Sequence, residues 1–339
     1  MGSAAALREG LRRAARAPAL LAGTFVLTLL VALPLSVALG GMIAAHLNGS
    51  RAAGAALSGA DYTWWQEFAA QATGLGTTLV PSIIGFGAVL LNLSNLLDNV
   101  PLAATVAGAV AAWLVIWSFL AGGIVDRLAR DRPTRATGFF AACGAHFAAL
   151  LRLGLVALLV YAAVFRWLQP LLLTETYGQL TRDSAVERNV FAVRVMLYIA
   201  FGVVMIAINI VIDYARIRIV VEDRRSAVGA LVAGLRFVRR NPGSVLGLYF
   251  LNALLFVLLA ALYGLAVRGS SPAGSAAWVM LIAGEIYILA RHYLKLTFYA
   301  SETALFQSRL AHAAYTAPPP VVWPESPAAE SIGNAGARS

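Results

Sequence analysis

The sequence predicts an all-α fold: a polytopic transmembrane helical bundle of six spans, with an outer segment that lies in the interface or re-enters, and two parallel helix-hairpin units. Three observations lead there. Across 339 residues 60% are hydrophobic and 12% charged, against about 45–50% and about 25% in an average soluble domain, so a soluble fold has no way to bury the surplus. Several runs exceed about 18 residues with almost no charge, the length that crosses about 30 Å of hydrocarbon as a helix. A transmembrane barrel is disfavoured, because its strands alternate polar and apolar residues over about 10 positions.

Taken in order, residues 1–17 read as a basic cytoplasmic tail carrying Arg8, Arg12, Arg13 and Arg16. The apolar run 18–45 is longer than the roughly 7–15 residues of a signal-peptide core, so it is expected as a retained anchor. Residues 47–100 fall on the outer side. Within them "DYTWWQEF" places Thr63 three residues before Gln66, a capping-box spacing, beside Trp64 and Trp65, rings that favour a headgroup boundary; an ordinary loop helix packed on its own domain fits equally well. The stretch 76–98 is apolar but holds Pro81, Asn92, Asn95 and Asp98, and is expected to lie on the membrane or dip in and return. Further spans are expected at 101–125, 146–168, 190–214, 244–267 and 277–299, all in one transmembrane domain over 18–314. The segment 315–339, rich in Pro, Ala and Ser, reads as a disordered cytoplasmic tail.

Charge sets the orientation. The net charge is +10, from 26 basic and 16 acidic residues, and every basic residue except Lys295 is arginine. With both termini cytoplasmic, six spans hold the clusters Arg8–Arg16, Arg127–Arg135 and Arg216–Arg240 inside and leave only Arg51, Arg182, Arg188 and Arg268 outside. A seventh crossing at 76–98 would send a basic cluster out. Because the arginines flank apolar runs, the expected partner is the lipid bilayer with its anionic inner leaflet, and not nucleic acid. Small-residue faces such as "AATVAGAVAAW" suit close helix packing, a membrane-protein partner or a homo-oligomer.

The segment "VEDRRSAVGALVAGLRFVRRNPG" places Val228, Leu231, Val232, Leu235 and Val238 on one helical stripe, ended by Asn241, Pro242 and Gly243. It predicts a short helix on the inner leaflet, contacted through Arg225, Arg236, Arg239 and Arg240; Arg239 falls on the stripe and Phe237 opposite it. "DRPTRATGFFAACGAHF" repeats the order of events: a span, an Asp/Arg cluster (Asp126 with Arg130, Asp213 with Arg216), a DR pair, a short helix and a returning span. Gly144 and Phe147 match Gly234 and Phe237 in spacing. Two hairpins over about 101–168 and 190–267 follow, related as a parallel repeat. The segments "FLAGGIVDRLARDRP", "DYARIRIVVEDRRSAVGALVAGLRFVRRNPGSVLGLY" and "FYASETALFQ" resemble uncharacterised bacterial integral-membrane proteins, and the style is similar to the membrane domain of glycerophosphoryl diester phosphodiesterases. That resemblance, over about 100–310, implies a bacterial inner-membrane bundle of paired hairpins. No phosphodiesterase domain accompanies it, so it implies no activity.

Five polar residues are expected inside the membrane: Arg194, Asn209, Asp213, Glu285 and His292. A charge at that depth costs a few kcal/mol unless paired, and Arg194 and Glu285 are expected to pair across two spans, as a helix clamp or as the mark of a solvated path. Asn209 and Asp213, one turn apart, read as helix–helix hydrogen bonders ahead of a two-ligand cation site. No catalytic residue, cofactor or metal site is expected: the four histidines are scattered, Cys143 is the only cysteine, and no HExxH, GxSxG, P-loop or complete GxGxxG is present. The leading functional reading is therefore a non-enzymatic accessory or scaffold module acting through lipid and protein contacts. A small transporter or channel with a polar path between the hairpins is the alternative, and an intramembrane lipid enzyme a third class.

Overall fold

Pro170 shows how local chemistry shapes this bundle. It lacks an N–H and its ring crowds the carbonyl four residues back, and the helix that contains it widens into π turns at Val164–Leu168 and Leu171–Thr176 instead of ending. The computed structural model describes residues 1–54, 61–79, 94–95, 97–100, 104–267 and 275–310. Its helices are α1 (Ser3–Ala15), α2 (Pro18–Leu47), α3 (Tyr62–Gln71), α4 (Ala104–Arg130), α5 (Ala136–Thr181, with the π turns), α6 (Glu187–Val221), α7 (Ala227–Arg240), α8 (Pro242–Ala266) and α9 (Ser275–Arg309). No strand occurs among the described residues.

The all-α class holds, and α2, α4, α5, α6 and α8 are long and apolar enough to cross a membrane. The sixth expected span, 277–299, lies within α9, whose Glu285, Arg291 and Lys295 keep it out of that group. Several local expectations change. Residues 1–17 include a docked helix: Ala6, Gly10 and Ala14 of α1 are buried, and a Cβ on Gly10 would stand 2.5 Å from Ser301 Cβ on α9. The expected short helix at 131–147 and the span 146–168 are one element, the 46-residue α5, because nothing between Ala136 and Ala163 interrupts the backbone ladder.

The expected capping box is also replaced. Asp61 caps α3 by accepting from the N–H groups of Thr63 (2.9 Å) and Trp64 (3.1 Å), which places the cap two residues upstream of Thr63. Trp64 donates to His46 Nδ1 at 3.1 Å and Trp65 to the Leu79 carbonyl at 2.8 Å, so both indoles serve contacts within the chain. Of the stretch 76–98, Gly74–Thr78 forms a 3-10 turn, while residues 80–93 and 96, like the tail 315–339, lie outside the described residues.

Burial divides the bundle into two halves. At the arginine-rich end every residue of α9 from Tyr299 to Phe306 is buried, ringed by α1, α4, α6, α7 and α8 through Leu128, Ile217, Phe237 and Leu248. At the other end large apolar side chains such as Leu159, Phe191, Val257 and Val279 are turned outward. That is the pattern of helices whose solvent is itself apolar, where packing, not water exclusion, holds neighbours together.

Candidate functional site: a polar junction between α4, α6 and α9

Where the two halves meet, α6 carries an i, i+3 pair: Arg216 donates through Nη1 to Asp213 Oδ1 at 2.6 Å. The same nitrogen donates to the Tyr299 hydroxyl on α9 at 3.0 Å, and that oxygen also accepts from Trp117 Nε1 on α4 at 3.1 Å. Lys295, one turn before Tyr299, holds Nζ 3.5 Å from the centre of the Trp117 ring, a cation–π contact. Three helices thus share one phenol oxygen. Arg216 carries a charge to that depth because Asp213 travels with it on the same helix face; either alone would be costly there.

A second tie lies toward the apolar half, where the Tyr161 hydroxyl of α5 donates to Asn209 Oδ1 on α6 at 2.6 Å. A third joins α2 and α9. His292 Nε2 stands 3.0 Å from Thr28 Oγ1. Because the Thr28 proton is spent on the Thr24 carbonyl at 2.9 Å, the imidazole is the donor. On the α8 side, Asn252 is buried and donates to Ser301 Oγ at 3.1 Å.

The structure therefore joins Asp213 to a network through Arg216 and gives Asn209 and His292 separate partners. It does not pair Arg194 with Glu285. Arg194 stacks its guanidinium 5.4 Å from the centre of the Tyr177 ring on α5, while Glu285 Oε2 is buried without a hydrogen bond, and no ion pair among the described residues includes either. Matching depth along two helices proved insufficient, since the helical extension of α5 to Thr181 brings an aromatic face to Arg194 first.

On α7 the buried face is Ala227, Ala230, Gly234 and Phe237, packed on α6. A Cβ on Gly234 would come within 3.1 Å of the Val211 carbonyl and the Ala215 nitrogen. Three of the five residues of the expected stripe point the other way, Val228, Val232 and Leu235 being 62%, 52% and 44% exposed, while Leu231 and Val238 are half-buried against the core. Arg225, Arg236, Arg239 and Arg240 are exposed as well. Phe237, the exception to the stripe, is the core anchor.

Lys295, Tyr299, Trp117 and Tyr161 are not site candidates in the sequence, and Arg216 stands there only as the local partner of Asp213. Two signals stood there: Lys295 is the only lysine, and "FYASETALFQ" puts polar residues in every turn, which a lipid-facing helix avoids. Among the described residues no group of three or more His, Cys, Asp or Glu side chains is placed to hold a metal ion. Fold and junction together define an all-helical membrane bundle with a polar lock between its two halves. No family model, no curated protein and no solved structure matches the chain.

Proposed function

We propose that the chain is a non-enzymatic accessory or scaffold module of a bacterial inner membrane. In this reading α9 supplies a sixth crossing, the arginine-rich end lies in the cytoplasm and α7 rests on the anionic inner leaflet. The observation that carries it is the pairing of the intramembrane polar groups: Asn209 with Tyr161, Asp213 with Arg216, and His292 with Thr28. Each tie joins or braces helices, so these groups are spent on packing. On α7 an apolar edge of Val228, Val232 and Leu235 lies beside Arg236, Arg239 and Arg240, none of which forms an ion pair among the described residues. Such a helix suits the headgroup boundary, where each arginine contributes on the order of 1 kcal/mol against an anionic leaflet. The outward apolar side chains of the other half are where a second copy or another membrane protein would pack.

A transporter reading draws on one observation, the buried and unpartnered Oε2 of Glu285. Proteoliposomes separate the two. The module reading expects proton and potassium leak equal to that of empty vesicles, in the wild type and in Glu285→Gln alike. It also expects slower hydrogen exchange of α7 in phosphatidylglycerol than in phosphatidylcholine vesicles, a difference lost in the triple variant R236Q/R239Q/R240Q. Leak abolished by Glu285→Gln would establish the transporter instead, and lipid-independent exchange of α7 would remove it from the leaflet.

A further inference from the structure

A cavity of about 210 Å³ lies between α4, α5 and α6. Its walls are apolar, with Leu150, Leu153 and Ala157 inside, and its rim carries Leu114 and Leu158, which are exposed on the outer face of the bundle. One end is polar. Arg216 lines it, and with Nη1 committed to Asp213 and Tyr299, its Nε and Nη2 donors have no partner among the described residues. Trp117, with Lys295 over its ring, forms the same end. Asp213 is the only carboxylate bonded to Arg216, and Lys295 forms no ion pair among the described residues, so the two cations outnumber the anion that faces them. Glu302, one turn beyond Tyr299 on α9, is buried, and burial pushes its carboxyl well above the usual range.

The height of the cavity matches one leaflet. His146 Nδ1 of α5 stands 3.8 Å from Asp223 Oδ1, which sets the α6–α7 turn beside the third turn of α5. The cavity wall begins one turn farther on, at Leu150, and ends at Tyr161, a rise of about 16 Å at 1.5 Å per residue, half of the roughly 30 Å hydrocarbon layer. A cationic floor near the headgroup level, an apolar shaft above it and a rim open toward the apolar surround are the complement of one lipid.

We propose that this cavity binds a single anionic phospholipid, its phosphate on the free edge of Arg216 and one acyl chain between α4 and α5. The site depends on the membrane immersion proposed above for its supply of lipid, and not on α7 or its arginines. The phosphate takes the two idle guanidinium donors, a charge-assisted pairing that Asp213 does not saturate.

The test is native mass spectrometry of the purified, delipidated chain in detergent, titrated with phosphatidylglycerol, phosphatidylcholine or inorganic phosphate. One tight phosphatidylglycerol adduct is expected, with phosphatidylcholine at least tenfold weaker and inorganic phosphate unbound. Ala157→Phe fills the shaft and should weaken the adduct at least tenfold at unchanged melting temperature; Gly154→Leu, whose Cβ would meet only Ser118 Oγ at 3.6 Å, repeats the test should the first variant fold poorly. R236Q/R239Q/R240Q should keep the tight adduct whatever it does to α7 in vesicles. The proposal is overturned if folded, shaft-filled variants bind as the wild type does, if the two lipids bind equally, or if inorganic phosphate alone occupies the site.

Discussion

The hairpins α4–α5 and α6–α7 turn in the same way and are locked by opposite chemistry. Each turn holds one left-handed residue, Asp131 at φ 49 and Asp223 at φ 50. Counting back from them, the pairs Asp126–Arg130 (3.0 Å) and Arg218–Glu222 (2.8 Å) occupy the same two positions with their signs exchanged. Eight residues before each aspartate the helices cross: Gly123 against Cys143 in one hairpin, Ala215 against Gly234 in the other. Cys143 and Gly234 are each the eighth residue after the N-cap, Arg135 and Ser226. The glycine has changed helices while the crossing has stayed. What the backbone requires is one missing side chain at the crossing and one ion pair across the last turn; which partner supplies either is free.

The two pairs are unequal in weight, and this gives the largest expected effect. The two carboxylates are equally buried, Glu222 and Asp126 both 8% exposed, but Arg218 is 11% exposed and Arg130 32%. Arg218 also donates to the Ala233 carbonyl at 2.9 Å and covers the Phe306 ring at 5.6 Å. Arg218→Ala should cost about 2–3 kcal/mol, since it removes the bond to the Ala233 carbonyl and leaves Glu222 with one arginine fewer, Arg224 remaining, and Arg130→Ala about 1 kcal/mol, as for a partly open pair. Unfolding in detergent followed by circular dichroism reads both. Reversing both signs sharpens the comparison: R218E/E222R should lose more stability than D126R/R130E, because glutamate at 218 cannot serve the Ala233 carbonyl. Equal losses from the two double reversals would show that the hairpins are held by something else.

The crossings differ next. A Cβ on Gly123 would meet Cys143 Sγ at 2.5 Å and the Phe139 ring at 2.7 Å, while one on Gly234 would meet only backbone, at 3.1 Å. Gly123→Ala should cost about 1–3 kcal/mol as overpacking, and Cys143→Ala in the same chain should recover part of it. Gly234→Ala should cost about 1 kcal/mol and find no such rescue, since no side-chain trimming moves the Val211 carbonyl. The same unfolding assay, run on the singles and the double, checks both statements.

Much of this fold was legible and the register of the repeat was not, for one reason. Hydrophobic run length reports burial in an apolar surround, so α2, α4, α6 and α8 stand close to the runs that predict them. Residue identity was the wrong guide to the repeat: matching Gly144 to Gly234 puts glycine on glycine, yet a Cβ on Gly144 meets nothing within 4 Å. The crossing pairs a glycine with a cysteine, one position earlier. Pro242 was read correctly as a stop, since it excludes the preceding Asn241 from helical torsions, found at φ −131 and ψ 45. Pro170 was not recognised as tolerable, because π turns absorb it. The junction escaped for a related reason: Asp213 and Arg216 were visible as a local pair, but Tyr299 and Trp117 join them only through tertiary placement, for which a lone tyrosine or tryptophan in an apolar run gives no signal.

The smallest expected effect concerns α1, which ties the first hairpin to α9. Glu9 accepts from Arg12 and from Arg13 (2.8 Å), and Arg12 reaches on to Asp131 of the α4–α5 turn at 2.6 Å. The Arg12 hydrogen bond, against the opposing effect of burial and with help from Arg13, brings the Glu9 carboxyl down from 4.5 to about 2. A carboxyl lowered in the folded state contributes stability that is fully present above its unfolded value and disappears as pH falls through its folded one. The window is therefore about pH 4.5 to 2, and the loss is modest because Arg12 is 39% exposed. Hydrogen exchange should show α1 losing protection across that window ahead of α9. Glu222 is lowered as well, its burial outweighed by Arg218 and Arg224, so the end of α6 should loosen in acid too. Glu9→Gln tells the two apart: it should weaken α1 already at neutral pH, flatten the acid response there, and leave that of α6 in place. An unchanged acid response of α1 in Glu9→Gln would mean that Arg12 and Asp131 hold the first hairpin without it.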